Sequence, residues 1–208
     1  MGLLPSAAMA APRLGVLVSG RGSNLRALIE AHARGELSTP IGLVVSNNSR
    51  AGALSLAAEH GIPTRHISTK THDDPGAALL EALSEHDVGV LVLAGYMKRV
   101  DPRIVAAYAG RSLNIHPAPL PRFGGPGMFG EHVHRAVLES GATTSGPTVH
   151  RVTEDYDEGD VVAHQPVPVL PDDDVDRLAA RVLAAEHDLY WRTIERLFGA
   201  RRSSPSPS

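Results

Sequence analysis

Apolar residues fall in short unbroken runs at 14–18, 41–45 and 88–93, each too short for a helix and each closed by polar or glycine positions. Between the runs, apolar positions return every three or four residues: Leu25, Leu28 and Ile29 after the first, then the stretches 51–59 and 77–85. A shorter extended segment, 64–67, separates those two helical stretches. Strands alternating with helices of this length predict βαβ units, and hence an α/β fold: a single doubly wound, mostly parallel sheet with helices on both faces. Residues 112–115 read as a further buried strand, after which prolines and glycines dominate from 117 to 130 and predict a long irregular loop. Two more strands, 143–149 and 161–169, are expected to pair as a hairpin around 154–159, ahead of a last helix over 175–198. Along that helix Val175, Ala179, Val182, Leu189 and Thr193 share a stripe, and Glu186 falls on it. A carboxylate on such a stripe needs a partner, either a ligand or a basic group such as Arg177.

Length and composition narrow this picture. With 208 residues and 42% hydrophobic content, the chain suits one domain over 13–199. Residues 1–12 read as a disordered extension and 200–208 as a loose Ser/Pro tail. Gly2 followed by Ser6 satisfies the loose myristoylation pattern, which recurs by accident at this length. The net charge is −3 without a block of like charge, so no broad nucleic-acid surface is expected, and no apolar run approaches the roughly 20 residues that span a bilayer. The absence of cysteine excludes a disulfide framework, a thiolate zinc site and a cysteine nucleophile, and makes the cytoplasm the default expectation. Small-molecule substrates are the expected partners, and either a monomer or a homodimer fits.

In an open α/β sheet, ligands bind beyond the carboxyl ends of the strands, which selects the loops after Val18, Val45, Leu93 and Ile115. The first holds Gly20, Arg21, Gly22, Ser23 and Asn24. It lacks the third glycine of a dinucleotide fingerprint, and no ribose-binding acid ends the second strand, so NAD is disfavoured. No lysine follows the glycines, which removes the triphosphate loop as well. What remains is a nest of N–H groups at a helix start, suited to one anionic group such as a monophosphate; the plainer alternative is a tight turn with Ser23 as helix cap. Asn114 and His116, two apart on an extended strand, project to one side and can share a substrate atom. An amide N–H suits a developing oxyanion, and an imidazole partnered by a carboxylate moves protons near neutral pH; Asp157 is the candidate partner. The pair His132 and His134 does not face one direction on a helix, no His-Glu-x-x-His motif occurs, and no metal is expected; residues 131–134 read as a polar helix start.

Together, Ser-Gly-Arg-Gly-Ser-Asn-Leu at 19–25, Ala-Gly-Tyr-Met-Lys at 94–98, Leu-Asn-Ile-His-Pro at 113–117 and Tyr-Asp-Glu-Gly-Asp at 156–160 resemble the glycinamide ribonucleotide (phosphoribosylglycinamide) formyltransferase family of folate-dependent enzymes. The similarity runs over about 14–198 and implies a nucleotide-binding half at about 13–110 and a folate-binding, catalytic half at about 111–199. The resemblance implies a Rossmann-like formyltransferase fold and transfer of a formyl group from 10-formyltetrahydrofolate to the amine of glycinamide ribonucleotide, a step of purine biosynthesis. It implies that Asn114, His116 and Asp157 form the catalytic group and that residues 20–24 surround the substrate phosphate. Glu186 holds the sugar or glycinamide portion, and Tyr96, Met97, Lys98, Glu154, Asp155 and Tyr156 line the folate pocket. It further implies a histidine of the late strand at His150 and a cis bond at Leu120-Pro121. Two features depart from many members: Lys98 stands where some have arginine, and the loop 123–130 is longer and glycine-rich, which suggests a mobile cover.

Overall fold

The computed structural model describes residues 12–200. The extension before Pro12, with its Gly2 pattern, and the tail after Ala200 lie outside the described residues. The elements, in chain order, are β1 Arg13–Val18, α1 Ser23–Ala33, β2 Ile41–Ser46, α2 Gly52–Glu59, β3 Thr64–His66, α3 Pro75–Glu85, β4 Val88–Leu93, α4 Pro102–Ala107, β5 Ser112–His116, α5 Glu131–Glu139, β6 Thr144–Ser145, β7 Thr148–Arg151, β8 Val161–His164, β9 Val167–Pro168 and α6 Val175–Phe198.

Seven strands form one sheet in the order β3-β2-β1-β4-β5-β7-β8. The first five are parallel, while β7 runs antiparallel to β5 and β8 antiparallel to β7. The strand residues alternate between two cores, as a period of two requires. Leu14, Val16, Val18, Val90 and Val92 pack under α1, α2 and α6, whereas Leu17, Leu91 and Leu93 pack with residues of α3 and α4. Helices therefore cover both faces, and the parallel strands read as continuous apolar runs because neither face meets water. A third core joins α5 and the first half of α6 to Ala118, Phe123 and Val167.

The expected late hairpin is present but broken. The stretch 143–149 splits into β6 and β7, and 161–169 into β8 and β9; β7 pairs β8 in the main sheet while β6 pairs β9 in a separate two-stranded one. The breaks fall at Gly146-Pro147 and Gln165-Pro166. Proline has no N–H for the ladder, and Gly146 adopts a φ of 125° with its backbone against the Gln165 carbonyl, leaving no room for a Cβ.

The stripe expected on α6 is also displaced. Its buried seam is Leu178, Val182, Ala185, Glu186, Tyr190, Thr193 and Ile194, so Val175, Ala179 and Leu189 lie to its side. Tyr190 accounts for the shift: its hydroxyl reaches under the sheet to the carbonyl oxygens of Leu93, the last residue of β4, and Leu113, near the start of β5, at 2.8 and 3.1 Å. The short helix α4 and the body of α5 have no counterpart among the elements read from periodicity. α4 is six residues long and buries only Ile104, too little for a repeat to register.

Candidate active site

The strand order reverses between β1 and β4, and the crevice expected there lies open. A cavity of about 310 Å³ is lined by Asn24 and Glu186 on one side, Tyr96 and Met97 on another, Asn114 and His116 at its base, and the loop 125–130 above. Tyr156 and Asp157 complete the wall.

Asn114 and His116 leave β5 on the same side, as their spacing requires, and Asp157 comes to meet them from the loop between β7 and β8. Its Oδ2 lies 3.5 Å from His116 Nδ1, and its Oδ1 lies 3.4 Å from His150 Nε2. Asp157 holds a left-handed φ of 58°, and its Oδ2 accepts a 3.0 Å hydrogen bond from the Gly125 N–H. Gly125 belongs to the long glycine-rich loop, so that loop docks directly on the carboxylate.

Proton positions follow from the partners. His116 Nε2 lies 2.7 Å from the Phe123 carbonyl oxygen, which can only accept, so Nε2 carries the hydrogen. His150 Nδ1 likewise donates to the Arg151 carbonyl at 2.9 Å. His150 Nε2 then accepts from Asn114 Nδ2 at 3.0 Å, which sets the orientation of the carboxamide and leaves its second N–H for an acceptor in the cavity. In its neutral form the His116 imidazole turns its Nδ1 lone pair toward Asp157, and a proton added there is held against that carboxylate. Burial holds His116 below the ordinary imidazole range, with Asp157 pulling the other way. Burial pushes Asp157 upward, but His150, His116 and the Gly125 N–H outweigh it and keep the carboxyl below its usual value. These two directions favour an ionised Asp157 beside a neutral His116 ring.

Among the described residues, Glu186 pairs with neither Arg177 nor another basic group. Arg177 pairs with Asp172, and Glu186 Oε2 instead accepts from Asn24 Nδ2 at 2.7 Å. Glu186 is 7% exposed, and burial against only that hydrogen bond pushes its pKa up to about 7. Asn24 Oδ1 is buried without a partner among the described residues, so this corner of the cavity offers acceptors that a donor-bearing ligand would satisfy.

Of residues 20–24, Asn24 alone lines the cavity. Gly22, at φ 88°, is the N-cap of α1, and no side chain caps the helix, so the Ser23 cap is not formed. The first intrahelical bond runs from Arg26 N–H to Gly22 O, leaving the amides of Ser23, Asn24 and Leu25 without an intrahelical acceptor. Gly20 and Gly22 pack against the start of α2, where the Ala53 N–H donates to the Gly20 carbonyl. Ser23 faces a separate recess between α1 and α6, beside Arg26 and His187. Arg21 is exposed.

Tyr96, Lys98, Glu154, Asp155 and Tyr156 surround a small recess behind Asp157, whereas Met97 faces the central cavity. Arg99, absent from the residues singled out in the sequence, ties this recess together by donating to the Glu154 carbonyl at 2.9 Å. His150 is the other residue that sequence reasoning left without a task. The signal that places it is register, since His150 stands opposite Asn114 in the β5–β7 pair. The Leu120-Pro121 bond is cis. His132 is exposed with its ring edge-on to Phe129, and His134 is buried, so the two point apart.

The formyl transferase family model matches residues 12–194. The chain belongs to the formyl transferase family. A phosphoribosylglycinamide formyltransferase of Vigna unguiculata, named as chloroplastic, is 42% identical over 189 residues, which cover 89% of this chain and 60% of that protein. This chain thus spans less than two thirds of the plant relative's length. The phosphoribosylglycinamide formyltransferase of Escherichia coli is 40% identical over 84% of this chain and 82% of its own. Among solved structures, glycinamide ribonucleotide transformylase 1 from Symbiobacterium toebii superposes with a TM-score of 0.83 at 36% identity, covering 89% of this chain and 87% of that one. In this family member the fold matches that of the Symbiobacterium structure, and no helix among the described residues is long and apolar enough to cross a membrane.

Proposed function

We propose that the protein transfers a formyl group from 10-formyltetrahydrofolate to the amine of glycinamide ribonucleotide, releasing tetrahydrofolate. The observation that carries this reading is the convergence of the Asn114 amide, the His116 imidazole and the Asp157 carboxylate on one cavity whose opposite wall holds the uncapped start of α1. The free first-turn amides and the helix dipole suit the ribonucleotide phosphate. Asn24 Oδ1 and Glu186 suit the donors of its sugar or glycinamide. Tyr96, Met97, Lys98, Glu154, Asp155 and Tyr156 suit the folate.

In the proposed reaction the neutral amine attacks the formyl carbon, the new C–N bond forms, and the carbonyl electron pair moves onto oxygen. The free N–H of Asn114 meets that oxyanion. The His116 Nε2–H, held at rest by the Phe123 carbonyl, is the second donor. The attacking nitrogen must lose a proton and the departing folate nitrogen must gain one. The ionised Asp157 and the lone pair on His116 Nδ1 together hold that proton between the two events. Collapse of the intermediate restores the carbonyl and breaks the bond to folate. The plant relative's name places that protein in a chloroplast; for a chain without cysteine we assign the cytoplasm.

An absorbance assay for tetrahydrofolate release tests the reading. Release that depends on glycinamide ribonucleotide is expected. Release at the same rate without the ribonucleotide would instead identify a hydrolase, and no release with either would end the catalytic reading.

A further inference from the structure

The first residue after β1 is tied to the loops on both of its flanks. Ser19 follows Val18 where β1 lies between β2 and β4, one residue ahead of the Gly20–Asn24 loop. Its N–H donates to the Gly95 carbonyl at 3.1 Å, and its carbonyl accepts from Asn48 Nδ2 at 3.2 Å. Its hydroxyl has a partner on each side. The Met97 N–H can only donate, so the Ser19 oxygen accepts there, at 2.9 Å, and the hydroxyl hydrogen goes to Asn47 Oδ1. Asn47 thereby sets the rotor that presents a lone pair to Met97. The loop 95–99 depends on this tether. It has no helix or strand, yet supplies Tyr96, Met97 and Lys98 to the walls assigned above to folate. Among the described residues the main chain of 96–99 makes one hydrogen bond, from the Met97 N–H to the Ser19 hydroxyl. Gly95, at the head of the loop, is tied to Ser19 as well, while at its far end only the Arg99 side chain reaches out, to the Glu154 carbonyl. Ser19 itself lines neither the catalytic cavity nor the recess behind Asp157.

We propose that Ser19, although it opens the ribonucleotide loop, is a positioning residue for the folate: its hydroxyl fixes the main chain of 96–99 so that Tyr96, Met97 and Lys98 face the co-substrate. The proposal rests on the formyl-transfer reading and deepens it. Its consequence runs against sequence position, since a residue adjoining the phosphate loop governs the KM of the other substrate. The first-turn amides of α1 take their place from Gly22 and its packing on α2, which removal of the Ser19 hydroxyl leaves intact. Asn114, His116 and Asp157 make no hydrogen bond to Ser19 or Met97, so turnover at saturation does not depend on the tether. The Met97 N–H is partly open to water, and loss of one such bond weakens binding by about three- to tenfold.

The test is steady-state kinetics of Ser19→Ala, Ser19→Thr and Asn47→Ala with each substrate varied in turn, beside calorimetry and fluorescence titration of tetrahydrofolate. Ser19→Ala is expected to raise the folate KM about three- to tenfold, with kcat and the ribonucleotide KM within about twofold and Tm lowered by no more than about 4 °C. Ser19→Thr keeps the hydroxyl and is expected to bring the folate KM back to within about twofold of the native value. Asn47→Ala is expected to raise the folate KM less than Ser19→Ala does and to add nothing in the double variant, since both act through one hydroxyl. An unchanged folate KM, an equal rise in both KM values, no rescue by threonine, full additivity, or a Ser19→Ala chain that fails to fold overturns the assignment while leaving formyl transfer intact. A native protein that binds tetrahydrofolate without turnover overturns formyl transfer alone, and the titration then reads the Ser19 effect directly. Absence of both binding and turnover overturns both.

Discussion

At the scale of single residues, the site is organised by what each polar atom can and cannot donate. Asn114 has one N–H committed to His150 and one left over, and the proposed reaction directs that second N–H at the oxyanion. Replacing it with alanine is expected to lower single-turnover chemistry by about a hundred- to a thousandfold with substrate binding little changed. A fall of less than about fivefold would remove Asn114 from the reaction. Glu186 yields a stability prediction of definite sign. Its folded pKa of about 7 lies above the ordinary 4.5, so below pH 4.5 it is protonated whether the chain is folded or not. Between 4.5 and 7 the unfolded chain releases the proton while the folded one retains it, and stability falls as pH rises. The loss approaches about 3 kcal/mol by pH 8. Glu186→Gln is expected to flatten that slope, which urea unfolding at pH 5 and pH 8 measures directly; parallel slopes in the two proteins would show that Glu186 ionises freely.

At the scale of elements, the start of α1 is fixed by backbone shape rather than by a capping side chain. Gly22 sits at φ 88°, and a Cβ there would meet Ala53 Cβ at 2.8 Å and its Cα at 2.9 Å. Gly22→Ala therefore combines a left-handed backbone with a clash against α2, destabilising the fold by about 2 kcal/mol or more. A drop in Tm of about 4–8 °C is expected by calorimetry. The same variant should weaken ribonucleotide binding, because the first-turn amides of α1 are displaced; unchanged KM for the ribonucleotide beside a lowered Tm would detach this helix start from the phosphate. The broken late hairpin belongs to this scale too. Gly146-Pro147 and Gln165-Pro166 were visible as residues, yet the run of apolar positions around them read as two whole strands. A proline marks a possible break, and whether the chain pairs on after it depends on a partner strand that sequence spacing does not specify.

At the scale of the whole molecule, the long loop after β5 is attached to the chemistry at two points, through the Phe123 carbonyl on His116 and the Gly125 N–H on Asp157. Its residues 126–130 roof the cavity, with Met128 also packed against the third core. Occupation of the cavity is expected to add contacts along this roof. Limited proteolysis between residues 123 and 130 should accordingly slow several-fold when both substrates, or the ribonucleotide with an inert folate, are present. Equal cleavage with and without ligands would make the loop a static wall.

Periodicity alone was enough for the parallel core, because strands buried on both faces and helices buried on one leave different and local apolar patterns. Asn114 and His116 were legible for the same reason, since two residues apart on an extended chain must share a side. Residues brought together from distant segments were legible only in part. Asp157 could be named as a candidate, but His150 and Arg99 acquired their places from β5–β7 register and from a loop crossing to another loop. The partner of Glu186 proved to be Asn24, 162 positions away, rather than the nearby Arg177. Local patterns record which face of an element avoids water; they carry no record of which distant polar atom will be waiting on the other side, and that is set when the helices close over the sheet.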